Sequence, residues 1–176
     1  SLGGAQKYYG VTPDLAIFGK AMANGYAVSA VTGTREIMKA AEKEVFISST
    51  FFPNSLAHVA ALKTIEIMER EKVLDTVWEK GRLFLSLMEK ERNGNRIGAE
   101  ISGIPPMPFI TFRKDRNKLY KERRTAFYTW LIRRGVFLQP FHHGYVCWRH
   151  TDEDLRYTAG VIGEAVQAVE EQYGPE

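Results

Sequence analysis

Lys20 is the residue here with the clearest chemical use. It follows Gly19 at the end of the apolar run Leu15-Ala16-Ile17-Phe18, and Asn24-Gly25 closes the turn beyond it. A short apolar run followed by glycines predicts a buried strand and then a sharp turn. That places an amine just past the carboxyl end of an inner strand, where open α/β sheets bind their ligands. In water a lysine keeps its proton up to a pKa of about 10.4 and is not a nucleophile at neutral pH. Packing against Phe18, Ala21 and Met22 is expected to disfavour the charged form and free the amine for Schiff-base chemistry. Taken alone, a lysine beside a strand end is more often a solvated loop residue.

Three other groups of residues bear on chemistry. Thr50 and Asn54 stand just ahead of an alanine-rich helix, in Ser49-Thr50-Phe51-Phe52-Pro53-Asn54-Ser55. A hydroxyl and free backbone N–H groups near a helix start suit a phosphate. His142, His143, Cys147 and His150 are residue types that bind zinc, but their spacing fits no strong zinc pattern. Adjacent histidines on an extended segment also point to opposite faces, so no metal site is assigned. The basic run Arg113, Lys114, Arg116, Lys118, Lys121, Arg123 and Arg124 lies beside Tyr120, Phe127, Tyr128 and Trp130. Cations among aromatics can bind single-stranded nucleic acid. The preferred reading is a solvated helix face with its rings turned into the core, and no nucleic-acid partner.

The elements that must position these groups alternate between strand and helix. Val28 to Val31 predicts a second strand, and Thr34 can cap a helix over residues 35–43. Val45 to Ile47 predicts a third strand. Leu56 to Glu69 predicts a helix whose Ala57, Ala60, Ala61, Thr64, Ile65 and Met68 permit close packing. Lys72 marks a break before a longer helix with Leu74, Val77, Trp78, Gly81, Leu85 and Met88 inward. Asn93-Gly94-Asn95 ends it. Strands over 100–104 and 109–112, a helix over 120–134, strands over 136–138 and 145–148, and a capped final helix from Thr151 follow. The order reads as α/β with an α+β tail. The division is residues 1–72 and residues 73–176.

Composition sets broad limits. The 176 residues are 44% hydrophobic and 26% charged, as in an ordinary globular chain. A net charge of +3 is too small to argue for nucleic acid or membrane. The one cysteine excludes an intrachain disulfide and fits a reducing, cytoplasmic setting. No apolar run approaches a membrane span, and no membrane partner is expected.

The stretch from Val11 to Gly33 resembles the lysine segment of the class III, pyridoxal-phosphate-dependent aminotransferases, the glutamate-1-semialdehyde aminomutase-like branch above all. Pro13, Asp14, Gly19, Lys20 and Gly25 match that segment, and Ala27 stands at its proline. Thr50 and Asn54 match the family's phosphate-binding loop, and His150-Thr151-Asp152-Glu153-Asp154 its final helix start. The resemblance implies a fold-type I aminotransferase: the late part of the large-domain sheet, then a smaller α+β carboxyl-terminal domain. It implies pyridoxal 5'-phosphate held by Lys20 as a Schiff base, with Lys20 as the catalytic residue. Thr50 is implied to bind the cofactor phosphate of a neighbouring subunit, so a homodimer with shared active sites is expected.

The implied activity moves an amino group between an amine and a keto or aldehyde compound. Intramolecular transfer of the aminomutase type is one alternative. A non-catalytic fragment acting as a binding module is another. The family pattern also places the pyridine-nitrogen aspartate and main phosphate turn upstream of Ser1, so the chain is read as the carboxyl-terminal portion of a longer protein. His142 or His143 is expected at the active-site entrance, and His150 to be structural.

Overall fold

The computed structural model describes residues 1–48, 50, 52 and 54–174. The elements are α1 (Gly4–Tyr9), β1 (Leu15–Phe18), a 3-10 turn (Lys20–Ala23), β2 (Ala30–Gly33), α2 (Arg35–Ala40) and α3 (Ser55–Arg70). After these come α4 (Val73–Arg92), β3 (Ala99–Ile104), β4 (Met107–Phe112), α5 (Leu119–Arg133) and α6 (Asp152–Tyr173). They form two compact units that divide inside α4, between Leu74 and Asp75.

In the first unit β1 and β2 pair antiparallel, Leu15 opposite Gly33 through Phe18 opposite Ala30. A Cβ on Gly33 would lie 2.6 Å from the Asp14 carbonyl oxygen, so only glycine lets the strands close there. The expectation of a buried inner strand is corrected: Ile17 is 77% exposed and β2 is the only strand paired with β1 among the described residues. A two-stranded ribbon has no second layer to cover its outer face. The second strand begins at Ala30, not Val28, because the chain first completes a further turn, Tyr26 N–H donating to Ala23 O at 3.2 Å.

Thr34 caps α2 as expected, its hydroxyl accepting from Ile37 N–H at 3.4 Å. No strand forms at residues 45–47, where Phe46 is 92% exposed; apolar β-branched residues make a strand only when an edge is available to pair with. Asn54 caps α3, accepting from Ala57 N–H at 3.2 Å. Ala57 and Ala61 are buried, and α3 packs against the Lys20–Ala23 turn. Lys72 adopts a left-handed φ of 49°, which breaks α3 from α4 where the sequence predicts.

The second unit packs α5 against α6 and against the β3–β4 hairpin. Phe127 is fully buried and meets Phe112 and Tyr128 edge-on at 5.4 and 5.2 Å. Gly81 lets α4 touch the hairpin turn, since a Cβ there would sit 2.5 Å from the Pro105 carbonyl. The strands expected at 136–138 and 145–148 do not form. The second of these segments and the glycine before it instead make two isolated bonds, Gly144 N–H to Pro108 O at 2.8 Å and Val146 N–H to Pro106 O at 2.9 Å. Prolines accept but have no N–H to return, so no ladder can propagate. α6 opens on a full capping box between Thr151 and Asp154. Bonds from the Thr151 backbone N–H and side chain hold the Asp154 carboxyl below the usual aspartate range.

Candidate active site

Lys20 opens the 3-10 turn that follows β1. Gly19 O accepts from Met22 N–H at 3.1 Å and Ala21 O from Asn24 N–H at 3.3 Å, so the turn is closed by its own backbone. Lys20 itself holds a φ of 50°, a conformation uncommon outside glycine and costing on the order of 1 kcal/mol. Ala23, 1% exposed, anchors the turn. The side chain of Lys20 is exposed, which corrects the expectation that Phe18, Ala21 and Met22 desolvate it; Ala21 is exposed as well. A turn resting on a two-stranded ribbon presents its first side chain outward. Among the described residues its amine has no hydrogen-bond or ion-pair partner, whereas Lys63 is paired with Glu66 and Lys80 donates to the carbonyls of Trp148 and His150. A primary amine fixed by backbone geometry and left unpartnered suits covalent attachment to an aldehyde.

Thr50 lies in the same unit, exposed, on the connection between α2 and α3. Its neighbours Ser49, Phe51 and Pro53 in the phosphate-loop motif lie outside the described residues. Thr50 and Lys20 make no hydrogen bond to each other among the described residues. The two groups are thus on separate loops: an amine after β1, and a hydroxyl four residues before Asn54, the cap of a sixteen-residue helix. Both fit pyridoxal phosphate chemically, the amine to its aldehyde and the hydroxyl to its phosphate.

The second unit holds an open cavity of about 880 Å³. Its floor includes Phe84, Val136, Leu138, Val146 and Leu155, and its rim carries His142, His143, Tyr145, His150 and Tyr157. The adjacent histidines do not point apart. Their rings stack at 4.4 Å and 30°, because the segment bends, His142 N–H donating to Gln139 O at 3.4 Å. Tyr145 Oη lies 3.1 Å from His143 Nε2. His150 Nδ1 accepts from Cys147 N–H at 3.2 Å and so closes a tight loop. No three metal-ligating side chains gather among the described residues. The basic run is not one face. Arg113 pairs with Glu100 at 3.1 Å, Arg123 is buried and donates to Gly174 O at 3.2 Å, and Arg124 lies over the Phe141 ring at 4.2 Å. Sequence reasoning missed the aromatic rim of this cavity. Its signal was Phe137 and Tyr145, which fall in the segments read as strands on either side of the Pro140–Gly144 loop.

Comparison with known proteins bears directly on these features. The model of a family described as aminotransferase class-III matches residues 3–166. A 3-aminobutyryl-CoA aminotransferase from Cloacimonas acidaminovorans is 57% identical over 169 residues, 96% of this chain and 41% of that protein. A glutamate-1-semialdehyde 2,1-aminomutase from Archaeoglobus fulgidus is 31% identical over 94% of this chain and 42% of its own length. Among solved structures, the FumI protein of Sphingopyxis sp. MTA144 in its PLP internal aldimine form superposes with a TM-score of 0.86. It is 25% identical, over 97% of this chain and 40% of that one. The chain therefore spans about two fifths of the length of the relatives it matches.

Proposed function

The chain belongs to the class-III aminotransferase family, which uses pyridoxal 5'-phosphate and has the type I fold, and from that premise we propose that the whole protein is an amino-transferring enzyme working through Lys20. The observation that carries the reading is the unpartnered Lys20 amine, set by backbone alone in the turn after β1. Bound pyridoxal phosphate supplies an electron sink for the electrons left when a substrate carbon loses its proton. Lys20 Nζ would hold the cofactor, and when free of it would be the base that takes the proton from the amine-bearing carbon of the substrate. Thr50 and the start of α3 offer a hydroxyl and N–H groups to the phosphate.

For the substrate, the 57% identity along nearly the whole chain favours a β-amino acyl-CoA thioester as the amine, its amino group passed to a keto or aldehyde compound. Aminomutase-type transfer within one molecule is the weaker reading, since relatives so named reach 31% and 32%. We further propose a homodimer in which Thr50 serves the partner's cofactor. Leu56, Val59 and Leu62, spaced along one face of α3 and all more than 60% exposed, support a surface that becomes covered. An exposed, unpaired Cys147 fits a cytoplasmic setting.

The reaction is tested with the full-length protein, its cofactor, 3-aminobutyryl-CoA and a panel of keto and aldehyde acceptors. Formation of 3-oxobutyryl-CoA and the aminated acceptor in equal amounts is expected. Inertness toward the thioester together with conversion of glutamate-1-semialdehyde would replace this reading with the aminomutase one.

A further inference from the structure

Every residue that lines the 880 Å³ cavity belongs to the second unit, and a cavity of that size suits a small molecule. Phe137, Tyr145 and Tyr157 line it with rings 74%, 56% and 59% exposed. Aromatic rings left in water around one apolar floor suit a planar ring as ligand. Two imidazoles lining the same cavity are fixed in opposite senses. His142 Nδ1 lies 3.0 Å from His143 O, and a carbonyl only accepts, so this nitrogen carries the proton. The Nε2 of the neutral ring is then an acceptor. His150 Nδ1 accepts the Cys147 N–H at 3.2 Å, so the proton of that ring sits on Nε2, a donor. Neither Nε2 has a hydrogen-bond partner among the described residues. The lining offers no cation to an anionic ligand. Its described residues include no lysine or arginine, and its one carboxylate, Asp154, is held ionised by the Thr151 N–H at 2.7 Å. Lys80, whose charge reaches Asp154, is committed to the carbonyls of Trp148 and His150.

We propose that this cavity binds a neutral, planar heteroaromatic molecule of the nucleobase kind, with both a hydrogen-bond donor and an acceptor on its rim. The ring lies among Phe137, Tyr145 and Tyr157, its donor meets His142 Nε2, and its acceptor takes the His150 Nε2 proton. The site needs no residue of the first unit and stands apart from the reading of Lys20.

The test uses the full-length protein with its cofactor fixed by borohydride reduction, so that the cofactor's own place is filled. Adenosine, a neutral ring with an amino donor beside a ring-nitrogen acceptor, is titrated by calorimetry against this protein and its Phe137→Ala and His142→Ala variants. AMP is titrated alongside. Both substituted side chains are exposed, so the variants should keep the thermal stability of the parent. Saturable binding of adenosine is expected, weakened about tenfold by loss of the ring or of the acceptor nitrogen. AMP should bind less tightly than adenosine, since its phosphate meets a carboxylate and no free cation. Absence of saturable binding would overturn the proposal and show that the rim packs against another part of the protein. Affinity unchanged in both variants, or AMP bound more tightly than adenosine, would overturn it as well.

Discussion

Single residues in this chain are committed to quite different degrees. Lys20 has no partner among the described residues, while Tyr128, 3% exposed, donates its hydroxyl to Ile110 O at 2.8 Å. Burial pushes the Tyr128 phenol from 10.0 up to about 12. The folded state therefore keeps a proton that the unfolded chain releases. Its stabilising contribution is complete below pH 10 and is lost as pH rises from 10 toward 12. Spectrophotometric titration of the eight tyrosines should show one class ionising near the upper end of that window, and Tyr128→Phe should remove it. The same substitution strands a buried carbonyl and should cost about 1 kcal/mol in denaturant unfolding. A single tyrosine class at the ordinary value would contradict the burial.

At the scale of elements, what could be read in the sequence depended on whether an element is specified locally. α3 announces itself through an alanine face, and α6 through Thr151 and Asp154. The α6 cap appears where the residue types place it, while Asn54, read only as part of the phosphate loop, turns out to cap α3. Strands need partners, and partners are not local. The segments at 45–47, 136–138 and 145–148 carry strand-like residues yet form none, the last because Pro106 and Pro108 give carbonyls without amides. α1 was missed because Gly3-Gly4 before a tyrosine pair offers no cap or apolar period. The position of Lys20 after a strand was legible; its exposure was not, because burial depends on what covers β1. Gly81 carries an element-scale prediction. Gly81→Ala pushes a methyl group into the Pro105 carbonyl, and the backbone must shift. A loss of about 1–3 kcal/mol is expected by thermal or chemical unfolding. No change would mean that α4 does not rest on the hairpin turn.

The whole molecule consists of two units with different surfaces. The second encloses a core around Phe127, Met88 and Ile162. The first leaves Phe46, Leu56, Val59 and Leu62 largely in water. If the α3 face is a subunit contact, Val59→Asp in the full-length protein should shift sedimentation from dimer toward monomer. A dimer that survives the charge would place the contact elsewhere. The central claim is that Lys20 is the residue that holds the cofactor. Its most direct test is borohydride reduction of the full-length protein loaded with pyridoxal phosphate, followed by peptide mapping. The pyridoxyl group should be found on the peptide containing Lys20 and be absent from Lys20→Ala protein of unchanged thermal stability. Stoichiometric label on any other lysine, persisting in Lys20→Ala, would contradict it.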